Sequence, residues 1–196
     1  MANIETLRKN LTERGITFSC FETAAEAVDY LDGKLDGREI GFGGSVTVKE
    51  TGLYDRLSTH NQAFWHWKES GMAKACGTGV YISSLNGLAE TGELINIDGT
   101  GNRVASTIYG WPEVIFVVGV NKIAPDYDAA LWRARNIAAP KNAMRLGRKT
   151  PCAVRGDKCY DCNQPDRICR ALTVLWGKPN AVQKMEVVLI NQALGL

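Results

Sequence analysis

Four of the six cysteines in this 196-residue chain lie within eighteen residues, with the spacing Cys152-x6-Cys159-x2-Cys162-x6-Cys169. Four thiolates can complete a tetrahedral shell around zinc or hold an iron–sulfur cluster. The spacing contains only one close pair and matches neither common ferredoxin pattern, so reactive thiols and thiols that merely pack in turns remain alternatives. We expect zinc or an iron–sulfur cluster as the cofactor, with Cys20 and Cys76 outside the site.

A glycine-rich turn at residues 41–47 follows a predicted strand at 38–42 and leads into a predicted helix at 45–57. Glycine lets the backbone approach a ligand closely, and the free N–H groups at a helix start attract anions. The turn is neither a P-loop nor a dinucleotide fingerprint, because the required Lys and third Gly are missing. The alternative is a plain strand-to-helix turn capped by Ser45. The candidate ligand-binding residues of this turn are Gly43, Gly44, Ser45, Thr47 and Lys49.

Polar residues interspersed with glycines follow the predicted strand at 78–85. Ligands of parallel α/β folds bind at the carboxyl ends of strands, so this stretch is a candidate site. Glu90 is the candidate catalytic residue, as a base or a covalent nucleophile, against the alternative of a solvated turn carboxylate. Arg103 could clamp a phosphate or carboxylate, or form an ion pair with Asp98. The candidate ligand-binding residues here are Ser84, Asn86, Thr91, Asp98, Asn102 and Arg103.

Charge is distributed unevenly along the chain. Residues 133–170 contain ten Lys or Arg against three Asp, whereas the rest of the chain is net acidic. Such a basic segment attracts anions. We predict that segments 40–50, 83–103 and 121–142 converge on one cleft that binds a small anion. Its basic wall would contain Lys122, Arg135, Asn136, Lys141 and Asn142.

The apolar periodicity predicts an α/β fold with a central, mainly parallel sheet flanked by helices. A continuous Val/Ile/Phe run at 114–120 is typical of a strand buried on both faces. His60 and His66, flanked by aromatic residues, favour an aromatic strand or cover loop over a metal pair. One domain is expected over 1–196, with a Cys-rich excursion at about 150–170. Helices are predicted at 3–14, 23–31, 126–139 and 143–148, strands at 16–21 and 186–191, and a loop at 150–165.

Composition excludes several classes of protein. With 45% hydrophobic and 22% charged residues, the chain is not disordered, collagenous or a coiled coil. The longest apolar run is too short to cross a bilayer, and the first ten residues lack the apolar region of a secretory signal, so we expect a cytoplasmic protein without membrane contact. A net charge of +2 and a single aromatic residue in the basic Cys segment make nucleic-acid binding an unfavoured alternative.

Several motifs together resemble the LUD-domain family, formerly a domain of unknown function that includes lactate-utilization proteins. The chain is most similar to a compact bacterial subgroup of that family, although residues 68–79 are shorter than its usual helical connection. The matching stretches are GFGGSVTVKETGL (41–53), AETGELINIDGTGNRVAS (89–106), VIFVVGVNKI (114–123), ARNIAAPKNAMRL (134–146), PCAVRGDKCYDCNQPDRIC (151–169) and VVLINQALGL (187–196).

The resemblance implies a fold like that of sugar-phosphate isomerases and CoA-transferases. In relatives on that fold, the first glycine turn and a strand-end carboxylate line a site for phosphorylated sugars or acyl-CoA, which here implies Gly43, Gly44, Ser45 and Thr47 for the anion and Glu90 for the carboxylate. The expected function is binding or conversion of a small anionic metabolite (phosphate, carboxylate or acyl-CoA). The family context implies lactate utilization beside iron–sulfur partner subunits, and self-association is left open. A metal or redox module built on the four cysteines is the alternative.

Overall fold

The computed structural model describes residues 3–68, 71–110 and 112–196. In chain order the strands are β1 Thr17–Phe21, β2 Glu39–Phe42, β3 Gln62–Trp65, β4 Val80–Ser83, β5 Gly87–Ala89, β6 Leu94–Asp98, β7 Glu113–Gly119, β8 Ile123–Ala124, β9 Ala171–Leu175 and β10 Lys184–Ile190. The helices are α1 Ile4–Glu13, α2 Ala24–Lys34, α3 Val46–Thr51, α4 Leu53–Leu57, α5 Gly71–Ala75, α6 Asn102–Ala105, α7 Tyr127–Arg133, α8 Ala139–Arg145 and α9 Pro151–Arg155. A 3-10 turn spans Val120–Lys122, and a π-helical turn spans Ala134–Ala138.

Six strands form the central sheet in the order β1-β10-β7-β4-β2-β3, and every neighbouring pair is parallel. Helices flank this sheet, which confirms the predicted α/β class. Parallel strands place all their carboxyl ends at one edge, and that edge carries the turns after β2, β4 and β7.

The two central strands are buried on both faces, as their apolar runs predict. Phe116 of β7 and Leu189 of β10 pack with helix α1 on one face, whereas Ile115 and Val188 pack with α2 and α4 on the other. Alternate residues of a strand point to opposite faces, so an unbroken apolar run supplies both cores.

Local capping fixes the starts of the first two helices. The Asn3 side chain accepts a hydrogen bond from the Thr6 N–H at the start of α1. The predicted capping box begins α2, because the Thr23 hydroxyl accepts from the Glu26 N–H while the Glu26 carboxylate accepts from the Thr23 N–H.

A second, four-stranded sheet in the order β8-β5-β6-β9 was not predicted. The predicted strand at 78–85 ends at Ser83, and the chain then crosses into β5 of this second sheet. Strands β5 and β8 contain three and two residues, too few to show an alternating apolar pattern. Strand β9 joins through long-range antiparallel pairing with β6.

Two predicted helix boundaries are wrong for identifiable reasons. The stretch 45–57 divides into α3 and α4 because Gly52 adopts the left-handed conformation, at φ +69°. The helices predicted at 126–139 and 143–148 form one continuous run, with the π-helical turn just before Pro140. Proline lacks an N–H and crowds the carbonyl four residues earlier, and the wider turn accommodates it.

Helix α9 lies inside the predicted loop at 150–165. Pro151 occupies its first turn, where no N–H donor is needed, and Gly156 ends it at φ +73°. Within the described part of the chain, no helix combines the length and apolarity needed to span a membrane.

Candidate functional site

A cleft of about 500 Å³ opens at the carboxyl-terminal edge of the central sheet. Segments 40–50, 83–103 and 121–142 all contribute to its walls, together with residues from the Cys-rich segment. Ten of the candidate residues line it: Gly44, Ser45, Thr47, Ser84, Asn86, Asp98, Asn102, Arg103, Lys122 and Asn142.

The glycine turn is closely packed against the sheet. A Cβ at Gly43 would lie 2.7 Å from the Tyr81 hydroxyl oxygen, and one at Gly44 would lie 2.9 Å from the Trp67 Nε1. The Ser45 hydroxyl accepts a hydrogen bond from the Val48 N–H at 3.2 Å and so caps α3. Ser45 therefore acts as the helix cap expected for a plain strand-to-helix turn, and anion binding by this turn stays a prediction.

Lys122 is the most deeply buried cation of the cleft, with 3% of its surface exposed. Its Nζ donates hydrogen bonds to the Thr47 Oγ1 at 2.7 Å and the Ser84 Oγ at 2.9 Å. Burial, reinforced by the nearby positive charges of Arg133 and Arg103, lowers the pKa of Lys122 to about 7. The amine can therefore gain or lose a proton near neutral pH.

Arg103 is held by oxygen acceptors on three sides. Its Nη1 donates to the Ser84 carbonyl and the Asn96 Oδ1, and its Nη2 donates to the Asn86 Oδ1 and the Ile97 carbonyl. Four acceptors for the four terminal N–H bonds leave no fork for a ligand. Arg103 thus contributes positive charge and rigidity to the cleft wall, and its role as a bidentate clamp stays a prediction.

Asp98 does not form the predicted alternative, an ion pair with the Arg103 guanidinium. Its Oδ2 accepts from the backbone N–H groups of Arg103 and Val104, and its Oδ1 accepts from that of Gly99. Asp98 thus organises the turn between β6 and α6, which places Asn102 and Arg103 at the cleft.

His66 and Trp67 form one rim of the cleft. The Asn102 Nδ2 lies 2.8 Å from the His66 Nδ1, and burial lowers the pKa of His66. The Arg145 guanidinium lies over the Trp67 ring, 5.2 Å from the ring centroid, and donates hydrogen bonds to the Asn142 Oδ1. His60 lies apart, bonded to Asp32 and Asp36, so the two histidines do not meet.

The cleft contains more positive than negative side chains among the residues that the structure describes. Asp98 and Asp166 are already engaged, since Asp98 binds backbone N–H groups and Asp166 pairs with Arg148. Such a balance favours an anionic ligand. The cationic side chains that line the cleft are Arg103, Lys122, Arg145, Arg148, Arg167 and Arg170.

Glu90 and Thr91 are not among the described residues that line the cleft. The Glu90 carboxylate accepts a hydrogen bond from the Asn3 N–H at 2.9 Å, and the Thr91 carbonyl accepts from Arg14. Both residues follow β5, which carries the chain away from the cleft towards helix α1. These contacts fit the alternative of a turn carboxylate, and catalysis by Glu90 stays a prediction.

The remaining candidates also lie off the cleft walls. Lys49 and Lys141 are exposed, and Gly43 is buried beneath the turn. Asn136 accepts a hydrogen bond from the Cys159 N–H, and Arg135 pairs with Asp161 at 2.9 Å. Arg135 and Asn136 therefore support the Cys-rich segment.

Cys152, Cys159, Cys162 and Cys169 all line a second cavity, of about 250 Å³, beside the cleft. Cys20 and Cys76 do not line it. Within the described residues, no group of three or more Cys, His, Asp or Glu side chains is arranged to hold a single metal ion. The four cysteines thus line one cavity but are not arranged as the ligands of a single metal ion.

Several cleft residues were not predicted as site residues. Four of them are arginines within the basic segment 133–170, so the charge count identified their region but not their orientation. His66 and Trp67 immediately follow β3, in line with the predicted aromatic strand or cover. The missed residues are His66, Trp67, Arg145, Arg148, Arg167 and Arg170.

The chain is thus an α/β protein with a parallel central sheet and a cationic cleft at the carboxyl ends of its strands. A family model described as the LUD domain matches residues 4–190, and the chain therefore belongs to the LUD-domain family. This confirms the resemblance drawn from the motifs.

Among solved structures, a crystal structure of a DUF162 family protein from Deinococcus radiodurans is similar, with a TM-score of 0.58, 12% sequence identity and 95% of each chain covered. At that identity the likeness shows the fold alone. No match was found among curated proteins.

Proposed function

We propose that this LUD-domain protein binds a small anionic metabolite, carrying a phosphate or carboxylate group, in the cleft at the strand ends. The observation that carries this proposal is the excess of cationic over carboxylate side chains around one cavity. An anion that enters gains Coulomb attraction without first breaking an ion pair with Asp98, whose oxygens are engaged by the backbone.

Lys122 gives the cleft a group able to do acid–base chemistry. Its amine lies at the cleft wall, and with a pKa of about 7 it holds or releases a proton near neutral pH. The Thr47 and Ser84 hydroxyls fix its position. In this proposal Lys122 attracts the bound anion when protonated and serves as a base when neutral.

Arg145 is the residue with which to test the binding site. It is exposed, so its replacement leaves the core intact, while Asn142 and the Trp67 ring hold its guanidinium at the cleft. Arg145→Gln should weaken anion binding about tenfold, the loss expected for one charge-assisted hydrogen bond. Lys49→Gln removes the same charge from an exposed position off the cleft wall and should bind as the wild type does.

The measurement is calorimetric titration or the ligand-dependent rise in melting temperature. Inorganic phosphate, a sugar phosphate, lactate and coenzyme A form the first panel, because the family context implies phosphorylated, carboxylate and acyl-CoA ligands. If Arg145→Gln and Lys49→Gln weakened anion binding equally, the loss would reflect the net charge of the protein and not a contact of Arg145 in the cleft. Absence of binding by every anion in the panel would overturn the proposal.

A further inference from the structure

The cavity lined by the four cysteines adjoins the anion cleft and shares part of its wall, but none of the four cysteines lines the cleft. We propose that it holds an iron–sulfur cluster ligated by Cys152, Cys159, Cys162 and Cys169. The observation behind the proposal is that four thiols from a helix and an irregular segment line the same cavity of about 250 Å³. Four cysteine thiolates are the usual ligand set of both [2Fe–2S] and [4Fe–4S] clusters.

The geometry favours a cluster over a single zinc ion. Zinc bonds of ~2.3 Å to sulfur bring tetrahedral thiolates within roughly 4 Å of one another. No three ligating side chains of the described residues are arranged in that way, although all four cysteines line one cavity. A cluster contributes its own iron and sulfide atoms between the thiolates, so its ligands lie farther apart than those of a single ion.

Hydrogen-bond donors already point at two of the sulfurs. The Asp161 N–H donates to the Cys159 Sγ at 3.3 Å, and Asp161 adopts a left-handed φ of +47° in the turn that makes this contact. The Nε and Nη2 of Arg167 each donate to the Cys169 Sγ at 3.3 Å. Hydrogen bonds to sulfur stabilise ligated thiolates and tune the potential of iron–sulfur centres.

The remaining wall of the cavity suits a buried, negatively charged cluster. Arg135, Arg167 and Arg170 supply positive charge that offsets the four thiolates. Apolar side chains cover the rest and limit the access of water, as around other metal centres. The apolar lining residues are Ile97, Leu131, Ala139, Pro140, Ala143, Ile168, Ala171 and Leu172.

A cluster would also order the segment that joins α9 to β9. Residues 156–170, all of them described, form neither helix nor strand and contain few large apolar residues. A metal centre provides the cross-links that such a segment lacks, because ligand binding and folding are coupled. Arg167, Ile168 and Arg170 line both cavities, so the cluster would stiffen one wall of the anion cleft.

The test is metal analysis of the full chain, expressed with iron supplied and purified without oxygen. We expect iron and acid-labile sulfide in equal amounts, with a visible absorption that bleaches when dithionite is added. The iron count per chain distinguishes the two cluster types. Zinc without sulfide, or disulfides without iron, would overturn the proposal in favour of a single-ion site or a thiol pair.

Variants connect the cluster to these cysteines. Cys159→Ser and Cys162→Ser should each lose the iron and sulfide, whereas Cys20→Ser and Cys76→Ser should retain both. Because a serine variant could misfold, each purified chain is checked by circular dichroism and reconstituted anaerobically with iron and sulfide. A folded Cys162→Ser chain that takes up a wild-type amount would contradict the assignment. Iron content does not depend on anion binding, so either proposal can fail alone.

Discussion

Raising the pH from 7 to 9 should increase the free energy of unfolding by about 2 kcal/mol through Lys122 alone, and Lys122→Met should abolish that increase. In the folded chain the amine loses its proton near pH 7, whereas in the unfolded chain it does so near its ordinary value of 10.5. Between those values the unfolded state binds more protons, so stability rises with pH. The slope reaches about 1.4 kcal/mol per pH unit where the folded-state amine is fully deprotonated, and it is about half of that at pH 7, where the folded-state amine is half protonated.

The charges that face Lys122 set the design of this experiment. Arg103 and Arg133 disfavour its protonated form and Glu50 favours it, and all three stay in place in Lys122→Met. Lys49→Met, at an exposed position, is the matched control and should retain the wild-type slope. Denaturant unfolding at several pH values under reducing conditions measures all three chains, and groups that titrate elsewhere affect them equally. Parallel curves for the wild type and Lys122→Met would refute the prediction.

Gly87→Ala should destabilise the protein by about 3 kcal/mol. Gly87 lies in β5 beneath helix α7, and a Cβ there would come within 2.5 Å of the Ala130 carbonyl oxygen and 3.1 Å of its carbon. Backbone cannot rotate away as a side chain can, so the helix must move off the sheet. The same helix carries Arg133, whose Nη1 donates to the Asn86 carbonyl at the cleft wall.

Gly33→Ala provides the control of opposite sign. Gly33 lies in helix α2, and a Cβ added there would have no atom within 4 Å, so alanine should stabilise by about 0.5–1 kcal/mol. Chemical denaturation of the two variants measures both effects. Comparable stability for Gly87→Ala and the wild type would mean that β5 and α7 are less tightly packed than the structure has them.

The sequence was most informative where one element decides its own structure. The apolar runs of β7 and β10 predicted a sheet covered on both faces, and the Thr23–Glu26 pair predicted the start of α2. The glycine turn, Ser84 and Lys122 were placed near one site because each follows a predicted parallel strand, and they do line one cleft.

The parts that escaped prediction depend on partners distant in the chain. Strand β6 pairs with β9, which lies more than seventy residues later in the chain. Neither short segment has a sequence pattern that predicts this pairing. Lys122 is buried because segments distant in the chain, which carry Thr47 and Ser84, pack against it. Such contacts leave no local sequence pattern. The same holds for Glu90, since only the path of β5 shows that its carboxylate meets the start of helix α1.

The π-helical turn at Ala134–Ala138 sets the angular phase of helix α8 relative to α7. Side-chain directions in an α-helix advance by about 100° per residue, and a turn closed over five residues contains one more than a regular turn. The two halves of one helix can thereby serve different neighbours: Arg133 is directed at the Asn86 carbonyl, while Asn142 and Arg145 are directed at the cleft. The directions of Asn142 and Arg145 are thus set by the number of residues before Pro140 as well as by their identity.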